Sequence, residues 1–378
     1  MDVTALRTLF PVTRQWSFLD HAAVSPLPQP AVDAMQVYAH SLAEHGVAAV
    51  RTWLDRVREV RFLAARLINA PSPDDVIFVS NTTQGIGLIA EGFPWVPGDN
   101  VVTAAEEYPS NLYPWLNLAS RGVEVRRVPS QGCRVVRDDL LAAIDGRTRV
   151  LALSAVEYAS GFRNDLDAIG EVCRKRGIFF FVDAIQALGV LPIDVQRTPI
   201  DALAADGHKW LLAPEGAGIA YIRREWVERL HVIGVGWNSV VHRYDFNTID
   251  LKLIPHAGRW EGGSYNVAGI TSLGASLKLL LDLGMAAVEE QVLALTDELC
   301  EGAASAGLEV FSSRQPGEKS GIVSLVKPGA STPAVVKRCR EAGVIVNDRA
   351  HRLRVSPHVY NTSEDLQRFL DAVRSSEH

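Results

Sequence analysis

The stretch IFFFVDAIQALGVLPIDVQRTPIDALAADGHKWLLAPEGAGIAYI, residues 178–222, holds three short apolar runs: IFFFVD (178–183), DALAAD (201–206) and AGIAYI (217–222). Runs this short and this continuously apolar suit strands buried on both faces, as in a parallel sheet covered by helices. Toward the N-terminus four more follow the same pattern: VIFVS (76–80), NVVTAA (100–105), VEVRRV (123–128) and RVLALSA (149–155). Between them SNLYPWLNLASRG (110–122), DDLLAAID (138–145) and DLDAIGEVCRKRG (165–177) carry apolar residues at helical spacing, and two of the three close on Gly. The alternation predicts an α/β domain with a seven-stranded, mostly parallel, doubly wound sheet.

Toward the C-terminus, residues 223–265 are irregular and rich in Gly, His, Trp and Tyr, and read as a connecting and active-site segment. Helical patterns then cover 270–284 and 286–307, strands fall near 308–312, 321–326 and 352–356, and SEDLQRFLDAVRS (363–375) reads as a final helix. This predicts a large α/β domain over residues 20–260. A smaller α+β domain takes residues 1–19 and 261–378.

At 378 residues the chain has length for two or three packed units. Its 47% hydrophobic and 22% charged residues are those of a globular protein, and the net charge of −6 leaves no basic footprint for nucleic acid. No apolar run reaches the roughly 18 residues of a membrane span, and the first residues lack a signal-peptide pattern, so the expected address is the cytoplasm. The four cysteines (Cys133, Cys173, Cys300, Cys339) form no CxxC pair and read as small buried hydrophobes. The ten histidines show no metal-ligand spacing, so no metal is expected.

In open α/β sheets ligands bind beyond the carboxyl ends of the strands, which makes the polar residues just after each run informative. Asn81-Thr82-Thr83-Gln84 opens a helix whose free N–H groups suit a phosphate, though the same residues also serve as an ordinary cap. Tyr108, in EEYPSN, is placed to lie against an aromatic ring. Asp183 ends an apolar strand, where a carboxylate is costly to bury without a cation beside it. Lys209 follows DALAAD within GHKW, and a desolvated lysine has the lowered pKa that carbonyl chemistry requires. Each alone has a structural explanation, but four on one sheet edge point to a site.

Together VDAIQALG (182–189), ADGHKWLLAPEGAG (205–218) and EGGSYN (261–266) resemble the class V aminotransferase group of fold-type-I pyridoxal-phosphate enzymes. That group includes cysteine desulfurases, C–S lyases, kynureninase and isopenicillin N epimerase. The likeness runs from FLDHAAVSP (18–26) to LRVSPHVYNTSEDL (353–366), and GHKW places Lys209 26 residues after Asp183. The resemblance implies that Lys209 carries pyridoxal 5'-phosphate as a Schiff base and that Asp183 keeps the ring nitrogen protonated. It further implies that Gln186 contacts the ring hydroxyl, that Tyr108 stacks on the ring, and that Thr82, Thr83 and His208 bind the phosphate. Ser264 would reach the phosphate of a neighbouring subunit in a homodimer with shared sites. Arg354 would hold the α-carboxylate of an amino-acid substrate, and His21 would line the substrate pocket.

Several departures bear on the reaction. Desulfurases of this group use a cysteine shortly before the carboxylate-binding arginine, and none stands between Val344 and Arg354. Tyr108 stands where desulfurases and cysteine lyases place histidine, Asp206 where many relatives have serine, and Tyr158 near a position usually filled by Asn. A carboxylate at 206 would repel a phosphate unless it turns away or meets a cation. The wording of EYASG and GHKW is closest to the isopenicillin N epimerase-like branch. The expected reaction is therefore transamination or epimerisation at the α-carbon, not persulfide-forming desulfuration. A C–S or β-lyase acting on a cysteine-like substrate is the alternative, and a non-catalytic cofactor-binding protein a remote one. A Rossmann-type nucleotide enzyme is disfavoured, because no G-x-G-x-x-G follows the first strand.

Overall fold

In the computed structural model, which describes residues 2–374, all seven apolar runs form strands. They are β1 (Val76–Val79), β2 (Asn100–Ala104), β3 (Glu124–Val128), β4 (Thr148–Ser154), β5 (Phe179–Asp183), β6 (Ala202–Ala205) and β7 (Gly218–Ile222). Across one sheet their order is β1-β7-β6-β5-β4-β2-β3. Only β7 is reversed, pairing antiparallel with both β1 and β6, so the other six strands present their carboxyl ends at one edge. This is the α/β fold-type-I arrangement expected from the sequence.

Strand alternation explains why these runs are apolar throughout. Phe180, Val182, Leu203 and Ala205 point into one core, and Phe179, Phe181, Ala202 and Ala204 into the core on the opposite face. Each fully buried Phe contributes about 1.5–3 kcal/mol. Helix Thr82–Gly92, with Ile86 and Ile89, covers the second face. The first face is covered by Leu166–Arg176, Val50–Leu67 and Val267–Leu283.

The helix Val267–Leu283, expected in the smaller domain, packs instead into the core of the large sheet through Ile270, Leu273, Leu277 and Leu280. Gly274 lets it lie directly against Val60 of helix Val50–Leu67, since a Cβ there would meet Val60 Cγ2 at 2.3 Å. The small core forms from Leu295 and Leu299 of helix Met285–Ala303 with Leu325, Val355 and Phe369. Above it lies a four-stranded sheet in the order Asn347–Arg349, Arg352–Val355, Val323–Val326, Glu309–Val310. Ser17–Phe18 pairs parallel with Val344–Ile345 and Leu19 packs in the small core, whereas Leu6 and Phe10 before it and Ala22 after it pack in the large one.

The stretch 110–122 is not one helix. It breaks into 3₁₀ turns at Pro109–Asn111 and Asn117–Arg121 around a single α-turn at Tyr113–Leu116, where Pro114 lacks the N–H that a continuous helix needs. The final helix runs Ser363–Arg374; Ser375, its last expected residue, lies outside the described residues. Among the described residues no single helix is long and apolar enough to cross a membrane.

Candidate active site

The carboxyl edge of the sheet opens into a cavity of about 280 Å³. Its lining includes Thr82, Thr83, Tyr108, Asp183, Gln186, His208, Lys209 and Arg354, so eight of the ten residues singled out in the sequence meet there. A larger cleft, of about 720 Å³, opens elsewhere, but it holds no lysine. Its arginines Arg134, Arg137, Arg163 and Arg197 are paired with Glu318, Asp165, Glu289 and Asp167.

Lys209 sits directly beyond β6 and is 9% exposed. Burial, reinforced by the charge of Arg354, brings its pKa down to about 8. Its Nζ lies 5.4 Å from the centroid of the Tyr108 ring. The turn that carries it is tightly held. Leu212, a bulky residue, adopts φ +57°, and a Cβ on Gly189 would come within 2.2 Å of the Trp210 carbonyl oxygen. Trp210 in turn donates from Nε1 to Gln186 Oε1 (2.9 Å), while Gln186 Nε2 donates to the Ala22 carbonyl (3.1 Å). The Gln186 amide is thus fixed between the lysine loop and the N-terminal loop.

Asp183 ends β5, is 2% exposed, and accepts a hydrogen bond from the backbone N–H of Ile185 at 3.0 Å. Desolvation pushes its pKa up to about 6. Two further buried acids surround it. Glu107 accepts from the backbone N–H and the hydroxyl of Ser154, the residue paired with Asp183 across β4 and β5. Glu157 accepts from Asn164 Nδ2 at 2.8 Å, and its other carboxyl oxygen is buried with no partner. Burial lifts Glu107 to about 7 and Glu157 well above the carboxylate range, the charge of Asp183 adding to both and that of Glu107 to Glu157. Sequence reasoning missed both, although each follows an apolar strand as Asp183 does.

At the far end, Asn81 caps helix Thr82–Gly92 by accepting from Gln84 N–H (2.8 Å), while the amides of Thr82 and Thr83 have no acceptor within the helix. Thr83 Oγ1 donates to Ser110 Oγ (2.8 Å), and Asp206 N–H donates to Thr82 Oγ1 (3.0 Å). Asp206 does meet a partner: His208 Nδ1 stands 2.7 Å from its Oδ2, and Gly207 N–H donates to Oδ1 at 2.7 Å. The imidazole keeps Nε2 as its free nitrogen. Gly85 lets this helix lie against β6, since a Cβ there would meet Ala204 Cβ at 2.5 Å.

Arg354 reaches the cavity from the four-stranded sheet and is 2% exposed. Its Nη2 lies 3.2 Å from Asp20 Oδ1, Nη1 donates to the Tyr158 carbonyl (3.1 Å), and Nε is buried without a partner. Tyr158 also packs edge-on against Tyr108, with ring centroids 5.1 Å apart. His21 does not face the cavity. Its Nδ1 is 2.9 Å from the Ser356 carbonyl oxygen and its Nε2 is 2.8 Å from the Tyr360 hydroxyl, so the loop presents Ala22, Ala23 and Val24 instead. Ser264 is exposed and lies outside the cavity lining of its own chain. None of the four cysteines lines the cavity.

This donor set fits pyridoxal phosphate. It offers a buried carboxylate for a ring cation, a neutral-prone amine for an aldehyde, an open aromatic face, and a helix N-terminus for a phosphate.

The aminotransferase class-V family model matches residues 17–369. A protein of Methanothermobacter thermautotrophicus named probable cysteine desulfurase is 31% identical, covering 97% of this chain and 96% of its own. Among solved structures, the apo cysteine desulfurase of Thermococcus onnurineus superposes with a TM-score of 0.90 at 25% identity, covering 98% of this chain and 97% of that one. The cystine C–S lyase C-DES superposes with a TM-score of 0.90 at 22% identity, over 97% of this chain and 99% of its own, a likeness of fold. These relatives overturn the expectation of an aminotransferase or epimerase from which desulfuration is excluded. That expectation rested on one missing loop cysteine, whereas the likeness to desulfurases extends along nearly the whole chain.

Proposed function

Because the chain belongs to the class V aminotransferase family, whose cofactor is pyridoxal 5'-phosphate, we propose that it cleaves the carbon–sulfur bond of a cysteine-like amino acid. The observation that carries this reading is the near full-length likeness to proteins named cysteine desulfurases, joined to a cavity that holds Lys209, Asp183 and Arg354 together. When bound, the cofactor supplies an electron sink for charge developing at the substrate α-carbon.

The chain's residues divide the remaining work. Asp183 keeps a proton on the ring nitrogen, and the free amides of Thr82 and Thr83, with His208, take the phosphate. Arg354 holds the α-carboxylate by charge-assisted hydrogen bonds. Lys209, neutral in half its molecules near pH 8, takes the α-proton. Tyr108 covers the open face beside the Lys209 amine. A phenol is a weak acid near neutral pH, so the ammonium of Lys209 gives the leaving sulfur its proton. Ala22, Ala23 and Val24 give the cavity an apolar side.

We also infer a homodimer. Phe246, Ile249 and Leu251 are 71%, 94% and 72% exposed in one segment, an apolar surface suited to a second copy, and Ser264 is free to face a neighbour's phosphate. Four free thiols suit the reducing cytoplasm.

Product analysis tests the reaction. The cofactor-loaded protein, incubated with L-cysteine and with L-cystine, is expected to give sulfide or persulfide together with a sulfur-free carbon product. A keto acid that retains its sulfur, or a D-amino acid formed with no sulfur release, would contradict the proposal.

A further inference from the structure

Arg349 was not singled out in the sequence, yet it lines the same cavity as Arg354. Strands Asn347–Arg349 and Arg352–Val355 are joined by a two-residue turn, Ala350-His351, in which both residues have positive φ (+50° and +61°). This is the twist-matching hairpin turn, built here from residues other than glycine or asparagine, so the backbone is held in a strained form. Register pairs Arg349 with Arg352 and Asn347 with Arg354. Arg349 and Arg354 are therefore diagonal neighbours on one face of the hairpin, within reach of a common ligand.

The two guanidinium groups differ in what they still lack. Arg354 is matched by the Asp20 carboxylate, so that pair carries no net charge, but its buried Nε has no acceptor. Arg349 uses Nη1 on two neutral acceptors, Asn347 Oδ1 (3.1 Å) and the Asp348 carbonyl (2.8 Å). Among the described residues no carboxylate forms an ion pair with it. The corner thus has one unmatched positive charge and one orphaned, fully buried N–H, which together suit a single carboxylate. Asn347 Nδ2, from the same hairpin, donates to Asp20 Oδ2 at 2.8 Å and keeps the acid turned toward Arg354.

We infer that Arg349 is the second half of the receptor for the substrate α-carboxylate: Arg354 orients one oxygen, and Arg349 supplies the charge that the Asp20–Arg354 pair has already cancelled. The inference rests on the reading of the cavity as an amino-acid site. It makes Arg349 a determinant of selection for substrates that carry a carboxylate.

The test compares wild type, Arg349→Gln and Arg349→Lys as cofactor-loaded proteins. Calorimetry with 3-mercaptopropionate, which has the carboxylate and no amine to react, reads anion binding without turnover. Arg349→Gln is expected to weaken it about 10- to 100-fold, the value of a charge-assisted hydrogen bond, and Arg349→Lys to restore part of the loss. Sulfur release should show the same change in KM with kcat nearly constant, and the preference for cysteine over cysteamine should collapse in the Gln variant. Equal binding by wild type and Arg349→Gln, or no binding by wild type, overturns the inference. Loss of binding in the variant beside an absence of sulfur release in wild type would leave this inference standing and remove the proposed reaction.

Discussion

Glu107 accepts hydrogen bonds from both the backbone N–H and the hydroxyl of Ser154, which fastens a buried acid one strand away from Asp183. With Glu157, three buried carboxyl groups act on one another, and the charge of Lys209 bears on Asp183. Glu107 has a pKa near the ordinary 4.5 when unfolded and about 7 when folded. Its contribution to stability is therefore complete below pH 4.5 and is lost as pH rises through 7. In the cofactor-free protein this loss amounts to about 3 kcal/mol. Urea unfolding between pH 4.5 and 8 should show a shallower decline for Glu107→Gln than for wild type. Parallel declines would remove Glu107 as the titrating group.

The pH dependence of cofactor capture follows from Lys209. Only its neutral amine condenses with an aldehyde, and burial places the midpoint at about 8. The rate at which cofactor-free protein takes up pyridoxal phosphate should climb through pH 7 and level off above 8. Stopped-flow absorbance measures it. A rate still rising near pH 10, as for an exposed lysine, would contradict the placement.

Gly85 sets the distance between helix Thr82–Gly92 and β6. In Gly85→Ala the new methyl group meets Ala204 Cβ at 2.5 Å, so the helix has to move away from the strand. Overpacking of this kind costs about 1–3 kcal/mol. Equilibrium dialysis should show cofactor affinity falling by about tenfold or more. Unaltered affinity would mean that the amides of Thr82 and Thr83 do not hold the phosphate.

Asp20→Asn leaves the Arg354 guanidinium buried without its carboxylate. Breaking a buried pair from one side costs about 3–5 kcal/mol. The same change frees Arg354 for an incoming anion, so 3-mercaptopropionate should bind more tightly to a less stable protein. A variant both stable and unchanged in binding would show that Asp20 does not restrain Arg354.

Much of this site could be read from the sequence because apolar strands mark their own ends. The runs through Asp183 and DALAAD fixed the edge, and the residues just beyond them face the cavity. What escaped notice depends on tertiary contact. His21 lies in a loop that lines the cavity, but its ring turns under the loop to Ser356 and Tyr360, partners more than 330 residues away in the chain. Arg349 became visible through hairpin register, and Glu157 through an orphaned oxygen. The helix Val267–Leu283 packs on the large core and not the small one, because apolar spacing shows that a face is buried but not what covers it. One absent loop cysteine says less about the reaction than a likeness to desulfurases along nearly the whole chain.

The central claim is that Lys209 performs the proton transfers that break a carbon–sulfur bond. Its most direct test is the rate of sulfur release from L-cysteine by cofactor-loaded wild type and Lys209→Ala, with cofactor kept in excess so that binding does not limit the variant. The account predicts steady release by wild type and a fall of roughly 10²- to 10⁴-fold in the variant. Equal rates in the two proteins, or no sulfur release by wild type, would contradict it.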